Sequence, residues 1–258
     1  MPEAVLTTII RRRRYFPFPL WEELDGGTKA VATAAQAAWD EIASFPNGVE
    51  WPDSEPAPHP LIAWVSPGPL HQAPIRSVVE RQALQSLHPM CSTVLNGATP
   101  GLFIELLEAV ATTVTNSAAS LRQVSLVTTP DAQGVRIGFP PAETLHGRLG
   151  RLHHFICSAQ GPNIFTAAVA LVAMTNAHPF IDGNGRSARA LFNLVMNRHR
   201  AHPDIFALPL HDLGNRPPGN LTLYMRGAEL HGDWRSLLDF LFKSIASGRV
   251  VADHASNG

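Results

Sequence analysis

Only two cysteines, Cys91 and Cys157, occur in 258 residues. They are too few for a disulfide framework and lack the close spacing of a metal site. Charged residues make up just 16% of the chain and balance to a formal net charge of -1, so no overall field draws it to nucleic acid or to an anionic membrane. Apolar runs are short: none nears the ~18 residues a membrane span requires, and the longest are helix-sized and alanine-rich. The glycine-rich phosphate loop GxxxxGK(S/T) is missing, which excludes the common nucleoside-triphosphatase design. Internal repeats and low-complexity tracts are missing as well. What is left is a globular chain suited to a reducing setting, the cytoplasm or a cell into which it is delivered. Hydrophobic residues at 45% are enough for a sizeable core.

The one basic run, Arg11 to Arg14, reads as a short solvated arm rather than a nucleic-acid patch. PFPLWEELDGG follows it where an export signal would carry an apolar segment. Residues 28–45 read as a helix that Thr28 is able to cap. Eight prolines between Pro46 and Pro74 then rule out regular helix and imply an extended connector. From Ile75 onward helical patterns dominate: 75–88, 100–115 with Thr99 as cap and Pro100 in the first turn, 141–158, 163–177, 185–199, 219–231, and 234–247 with Asp233 as cap. The chain thus divides into an N-terminal helix with its Pro-rich connector, residues 1–74, and a main domain over 75–250. One interval breaks the helical pattern. In LRQVSLVTTPDAQGVRIGFPP, residues 121–141, two β-branched runs flank a turn, which predicts a β-hairpin in an otherwise all-α protein. A lone hairpin is marginal, so it should lean on the helices and leave one edge open, either for a visiting peptide strand or as a flap without a ligand.

The densest chemistry lies in HPFIDGNGRSAR, residues 178–189. NIFTAAVALVAMTNA before it is apolar all round, as expected of a buried central helix, and Pro179 stops that helix directly after His178. Asp182, Gly183, Asn184 and Gly185 follow. Glycines flanking an asparagine let the backbone turn sharply and gather N–H groups on one side, an anion nest. A second helix begins near Gly185; Ala188, Leu191 and Val195, with Ala190 and Leu194 beside them, face its core side, while Arg186, Arg189, Asn193 and Asn197 share another face. Arginines in a first turn oppose the helix dipole, and together with unfilled amides they call for an anion with several oxygens, such as a polyphosphate. Asp182 would repel bare phosphate unless it holds a divalent cation, for which magnesium is the natural choice. His178 is suited to taking a proton from an incoming hydroxyl. Each residue alone has an ordinary structural reading; their conjunction points to phosphoryl or nucleotidyl transfer.

HPFIDGNGRSAR resembles the signature of the Fic family, HPFx(D/E)GNGRxxR, at every specified position, and the likeness runs from about Leu84 to Ile245. The hairpin ending in VRIGFPP is similar to the family's target-positioning flap, and GDWRSLLDFLFKSI to the helix that closes the Fic core. The resemblance implies an all-α Fic fold with a β-hairpin flap and an AMP transferase that moves AMP from ATP to a Ser, Thr or Tyr hydroxyl of a target protein. It implies His178 as general base, Asp182 as magnesium ligand, and Gly183, Asn184 and Gly185 as the anion hole for the α- and β-phosphates. Arg186 would contact the phosphates, Arg189 the γ-phosphate, and Phe180 would anchor the loop. The target would lie along the flap from about Val135 to Phe139. Gly185 stands where the phosphorylating relative has a lysine, which favours AMP over phosphate transfer; UMP, phosphate or phosphocholine transfer, or a silent nucleotide-binding module, are the alternatives. Many relatives are restrained by a helix carrying (S/T)xxxE(G/N), whose glutamate pairs with the second signature arginine. RSVVER, residues 76–81, departs from that frame at Arg76 and Arg81. Glu80 is therefore read first as an ordinary exposed helix glutamate and second as the inhibitory one, with a separate antitoxin chain, oligomerisation or no inhibition as the other routes.

Overall fold

The computed structural model describes residues 9–12, 17–44, 49–50, 73–97, 99–128, 135–200, 206–214 and 221–250. Along these the elements run β1 (Ile9–Arg12), α1 (Gly26–Ile42), β2 (Val49–Glu50), α2 (Ala73–Val94), α3 (Pro100–Thr115), β3 (Val135–Gly138), α4 (Leu145–Ser158), α5 (Asn163–Ala177), α6 (Asn184–Asn197), α7 (Leu210–Gly214), α8 (Leu221–His231), α9 (Trp234–Ala246) and β4 (Arg249–Val250). The architecture is helical with very little strand, as the sequence predicts. No helix of the described residues is long and apolar enough to cross a membrane.

At the centre stands α5, buried along almost its whole length because apolar side chains cover every face. It packs on α4 and α6; α3 bridges α2, α4 and α6, and α1 lies along α9. Trp39 of α1 shares the core with Phe165 of α5 and Leu241 of α9, so the N-terminal helix belongs to the same hydrophobic body as the rest.

Several helix ends follow their sequence cues. Thr99 caps α3, accepting from the Leu102 N–H at 3.5 Å, with Pro100 next, and Asp233 caps α9 through the Ser236 N–H. Two ends depart from them. Asp25, not Thr28, caps α1: its carboxylate accepts from both the amide and the hydroxyl of Thr28 at 2.9 and 2.6 Å, and a charged acceptor outcompetes a hydroxyl at a helix N-terminus. And α2 does not stop at residue 88 but runs through Pro89 to Val94. Pro89 and Gln85, whose carbonyl loses its helical donor, lie on the exposed side of the helix, while Leu84, His88 and Cys91 hold the other face in the core. The short α7 was not anticipated.

The hairpin forms, with a correction. Residues 126–128 pair antiparallel with the end of β3: Thr128 donates to the Ile137 carbonyl at 2.9 Å and Phe139 to the Leu126 carbonyl at 3.0 Å; its turn, 129–134, lies outside the described residues. The other edge of β3 is not open. β1 occupies it in parallel, Ile9 opposite Val135 through Arg12 opposite Gly138. Arg11 and Arg12 therefore belong to a strand of the flap, not to a free arm, and their backbone covers an edge that would otherwise be bare. Within the Pro-rich stretch, β2 pairs antiparallel with β4; most of that stretch, residues 51–72, lies outside the described residues.

Candidate functional site

His178 caps α5 in the left-handed region, φ 48° and ψ 59°, with its amide donating to the Met174 carbonyl at 3.0 Å. That backbone is uncommon for a residue other than glycine, and Arg122 holds it there. The Arg122 amide donates to the Pro179 carbonyl at 2.9 Å, and its Nε to the His178 carbonyl at 2.8 Å. Nη1 reaches the Val124 carbonyl at 2.7 Å, and Nη2 the carbonyls of Pro140 and Ala177. Arg122, 2% exposed, thus ties the end of α5 to both arms of the flap. Burial pulls its pKa below the ordinary arginine range, with Glu143 acting in the opposite sense. Sequence reasoning passed over Arg122 because its partners are backbone carbonyls far along the chain, which leave no side-chain signature. Arg122→Ala strands those buried acceptors and is expected to cost at least about 3 kcal/mol. Arg122→Lys should not restore the loss, because an ammonium lacks the forked geometry needed for divergent carbonyls. Urea midpoints of both variants check this.

The flap also reaches the imidazole. Phe139, the residue after β3, stacks on the His178 ring with centroids 3.9 Å apart and planes at 18°. The flap's position and the histidine's rotamer are therefore coupled.

Beyond His178 the chain dives and returns. Phe180 is 1% exposed in the core and pins the turn from below; burying such a side chain contributes about 2 kcal/mol. Asn184, itself buried, closes the turn from within: its Oδ1 accepts from the Phe180 amide at 2.9 Å and its Nδ2 donates to the Phe180 carbonyl at 2.8 Å. The Asn184 side chain is thereby committed to loop shape, and only its backbone remains for a ligand. Gly183 has φ +77°, and a Cβ there would lie 2.4 Å from Thr115 Cγ2, so this position accepts only glycine without rearrangement. The first intrahelical bond of α6 runs from Ser187 to the Gly183 carbonyl at 2.8 Å. The amides of Asn184, Gly185 and Arg186 precede it and have no acceptor within the helix, the arrangement that binds anions at helix N-termini.

Charges surround this turn. Asp182, 79% exposed at its side chain, accepts from the Gly183 amide at 2.6 Å and pairs with Arg186 Nη2 at 3.1 Å. Arg186 Nη1 donates to the Val114 carbonyl at 2.7 Å, which fixes the guanidinium between α3 and the turn. Arg189, one turn on, is held differently: its Nε and Nη2 donate to Oε1 of Glu80 on α2 at 2.9 and 2.5 Å. This overturns the reading of Glu80 as an exposed surface residue; it is 5% exposed and paired with a signature arginine. Arg76 and Arg81 in place of the usual flanking residues hid it, because the pattern specifies neighbours whereas the contact depends on helix placement. The C-terminal half of the polar face of α6 is likewise buried. Asn193 and Asn197 bind the backbone of Leu208 and Phe206, sealing the segment before α7 against it.

The structure therefore brings His178, Asp182, Gly183, Asn184, Gly185 and Arg186 together at one bend between two buried helices, with Arg189 turned onto Glu80. Residues 102–196 match the model of the Fic/DOC family. Among solved structures, the fold is similar to a Fic family protein from Desulfovibrio desulfuricans G20, with a TM-score of 0.54 at 12% identity over 90% of this chain and 74% of that one. It is also similar to Fic-1 from C. elegans, with a TM-score of 0.52 at 18% identity over 86% of this chain and 69% of that one. No curated protein sequence matches the chain.

Proposed function

We propose, from the premise that residues 102–196 form a Fic domain, that the chain transfers AMP from Mg-ATP to a Ser, Thr or Tyr hydroxyl of a target protein. Fic domains transfer nucleotide or phosphate groups to proteins; the AMP assignment is our reading. The observation that carries it is the bend itself, where free amides of Asn184, Gly185 and Arg186 open the helix that follows His178.

In this reading the triphosphate lies across those amides and Arg186, with its γ-phosphate toward Arg189. His178 takes the proton of the target hydroxyl as its oxygen attacks the α-phosphorus. The bond from that phosphorus to the bridging oxygen breaks, and pyrophosphate leaves into the amide and arginine cluster, which stabilises its charge. Magnesium fits the donor set. Asp182 offers an exposed carboxylate beside the turn, its oxygens shared with the Gly183 amide and Arg186, and magnesium takes one or two carboxylates together with phosphate oxygens and water. Among the described residues no group of three or more His, Cys, Asp or Glu forms a cage of its own, so Asp182 would share the ion with the nucleotide. When bound, it would neutralise charge on the phosphates.

The Glu80–Arg189 pair supports a restrained resting state, because the arginine assigned to the γ-phosphate is already engaged by a carboxylate. That contact is also what favours a second reading, a nucleotide-binding module whose turnover is suppressed. Incubation with a cell lysate and ATP labelled at either the α- or the γ-phosphate separates the readings. AMP transfer predicts label on protein from α-labelled ATP and none from γ-labelled ATP. The reverse pattern indicates phosphate transfer, and preference for α-labelled UTP over ATP indicates UMP transfer. Magnesium-ATP binding without label, even after Glu80 is removed, indicates the silent module.

A further inference from the structure

Building on the transferase reading, we infer that β1 is a built-in competitor for the target: residues 9–12 occupy the flap edge on which a target strand would pair, and modification requires their release. The hydrogen bonds of β3 define two distinct edges. Ile137 accepts from the Thr128 amide and donates to Thr128 Oγ1, both at 2.9 Å, and Phe139 donates to the Leu126 carbonyl. Backbone groups alternate sides along a strand, so Arg136 and Gly138 face the opposite edge. That edge carries β1, in parallel. A sheet edge accepts one neighbour, and the target strand and β1 therefore exclude each other.

Direction matters as well. β3 runs straight into Phe139, whose ring lies on His178. A strand laid parallel to β3, as β1 is, points its C-terminal end toward the imidazole. A target taking this place would present its hydroxyl from the residues just C-terminal to the paired segment. The tether explains why so short a strand stays in place. Phe18 packs against Phe155 with ring centroids 5.2 Å apart, and Trp21 against Phe165 at 5.4 Å, so the chain is anchored a few residues beyond β1. A short tether gives effective concentrations in the mM range, enough to keep filled an edge that the same four-residue strand binds only weakly from free solution.

The test uses the full chain, a chain lacking residues 1–14, and the double variant Ile10→Pro/Arg11→Pro, which removes one ladder donor whichever way the pleat of β1 faces. Amide exchange at Arg136 and Gly138 should rise at least tenfold in both variants while Ile137 and Phe139 keep their protection. A fluorescent peptide of residues 5–14, VLTTIIRRRR, should bind the shortened chain and not the full one, and its proline-substituted version should bind neither. If β1 fills the edge nine-tenths of the time, lysate labelling by the shortened chain gains about tenfold in apparent affinity for the target. Unchanged exchange at Arg136 and Gly138, equal peptide binding to both chains, or loss of labelling on shortening would overturn the inference. Should no form of the protein label anything, the transferase reading fails, while exchange and peptide binding still decide whether β1 guards the edge.

Discussion

Replacing His178 by alanine is expected to lower transfer of α-phosphate label to protein by about 10²- to 10⁴-fold, the usual contribution of a general base, while Mg-ATP binding should persist. The separation follows from the site's construction. The amides assigned to the phosphates belong to α6 and its turn, which Phe180 and the Asn184 side chain shape. The imidazole stacks on Phe139 of the flap. Alanine at φ 48° adds roughly 1–2 kcal/mol of backbone strain, so His178→Asn, which tolerates that conformation better, is the cleaner variant for calorimetry with magnesium nucleotides. Equal labelling by wild type and variants would remove His178 from the chemistry; lost nucleotide binding in both would assign it to the phosphate site.

Glu80→Ala is expected to act in the opposite direction, raising the labelling rate by about 5- to 150-fold, the range of typical coupling between two sites. Arg189 is held by two bonds to one carboxylate oxygen in a nearly dry contact, and a γ-phosphate has to displace that carboxylate before it gains the same donors. Removing Glu80 leaves Arg189 without its charge partner. The variant should therefore melt earlier than wild type without ligand, breaking a buried pair costing up to about 3–5 kcal/mol, and regain more stability than wild type when Mg-ATP is added. A purely structural Glu80 would give the first effect without the second. Initial rates and melting curves with and without nucleotide distinguish these outcomes.

How far the sequence reaches depends on how local each feature is. α3 and α5 could be delimited from the chain alone, since Thr99–Pro100 marks one start and Pro179 one stop, and uniform apolarity identified the buried central helix. The candidate site could be singled out for the same reason: its residues occupy one contiguous bend. What stayed hidden is long in sequence. Glu80 meets Arg189 from α2, and Arg122 reaches the end of α5 through carbonyls that every residue possesses. β1 finds β3 across more than a hundred residues, by backbone pairing that a run of isoleucines and arginines does not announce. Pro89 misled in the other direction, because a helix pinned at Leu84, His88 and Cys91 tolerates a proline on its wet side.

The Asn184–Gly185 pair has a consequence for chemical durability. Asparagine followed by glycine is the pair most prone to deamidation, because the unhindered glycine nitrogen can close onto the side-chain carbonyl carbon. Here both ends of the Asn184 amide grip Phe180, and closure would have to tear the side chain from both bonds within a helical first turn. The folded protein is therefore guarded against ageing at the bend after His178, whereas time spent unfolded exposes that asparagine to conversion, which removes the donor that grips the Phe180 carbonyl.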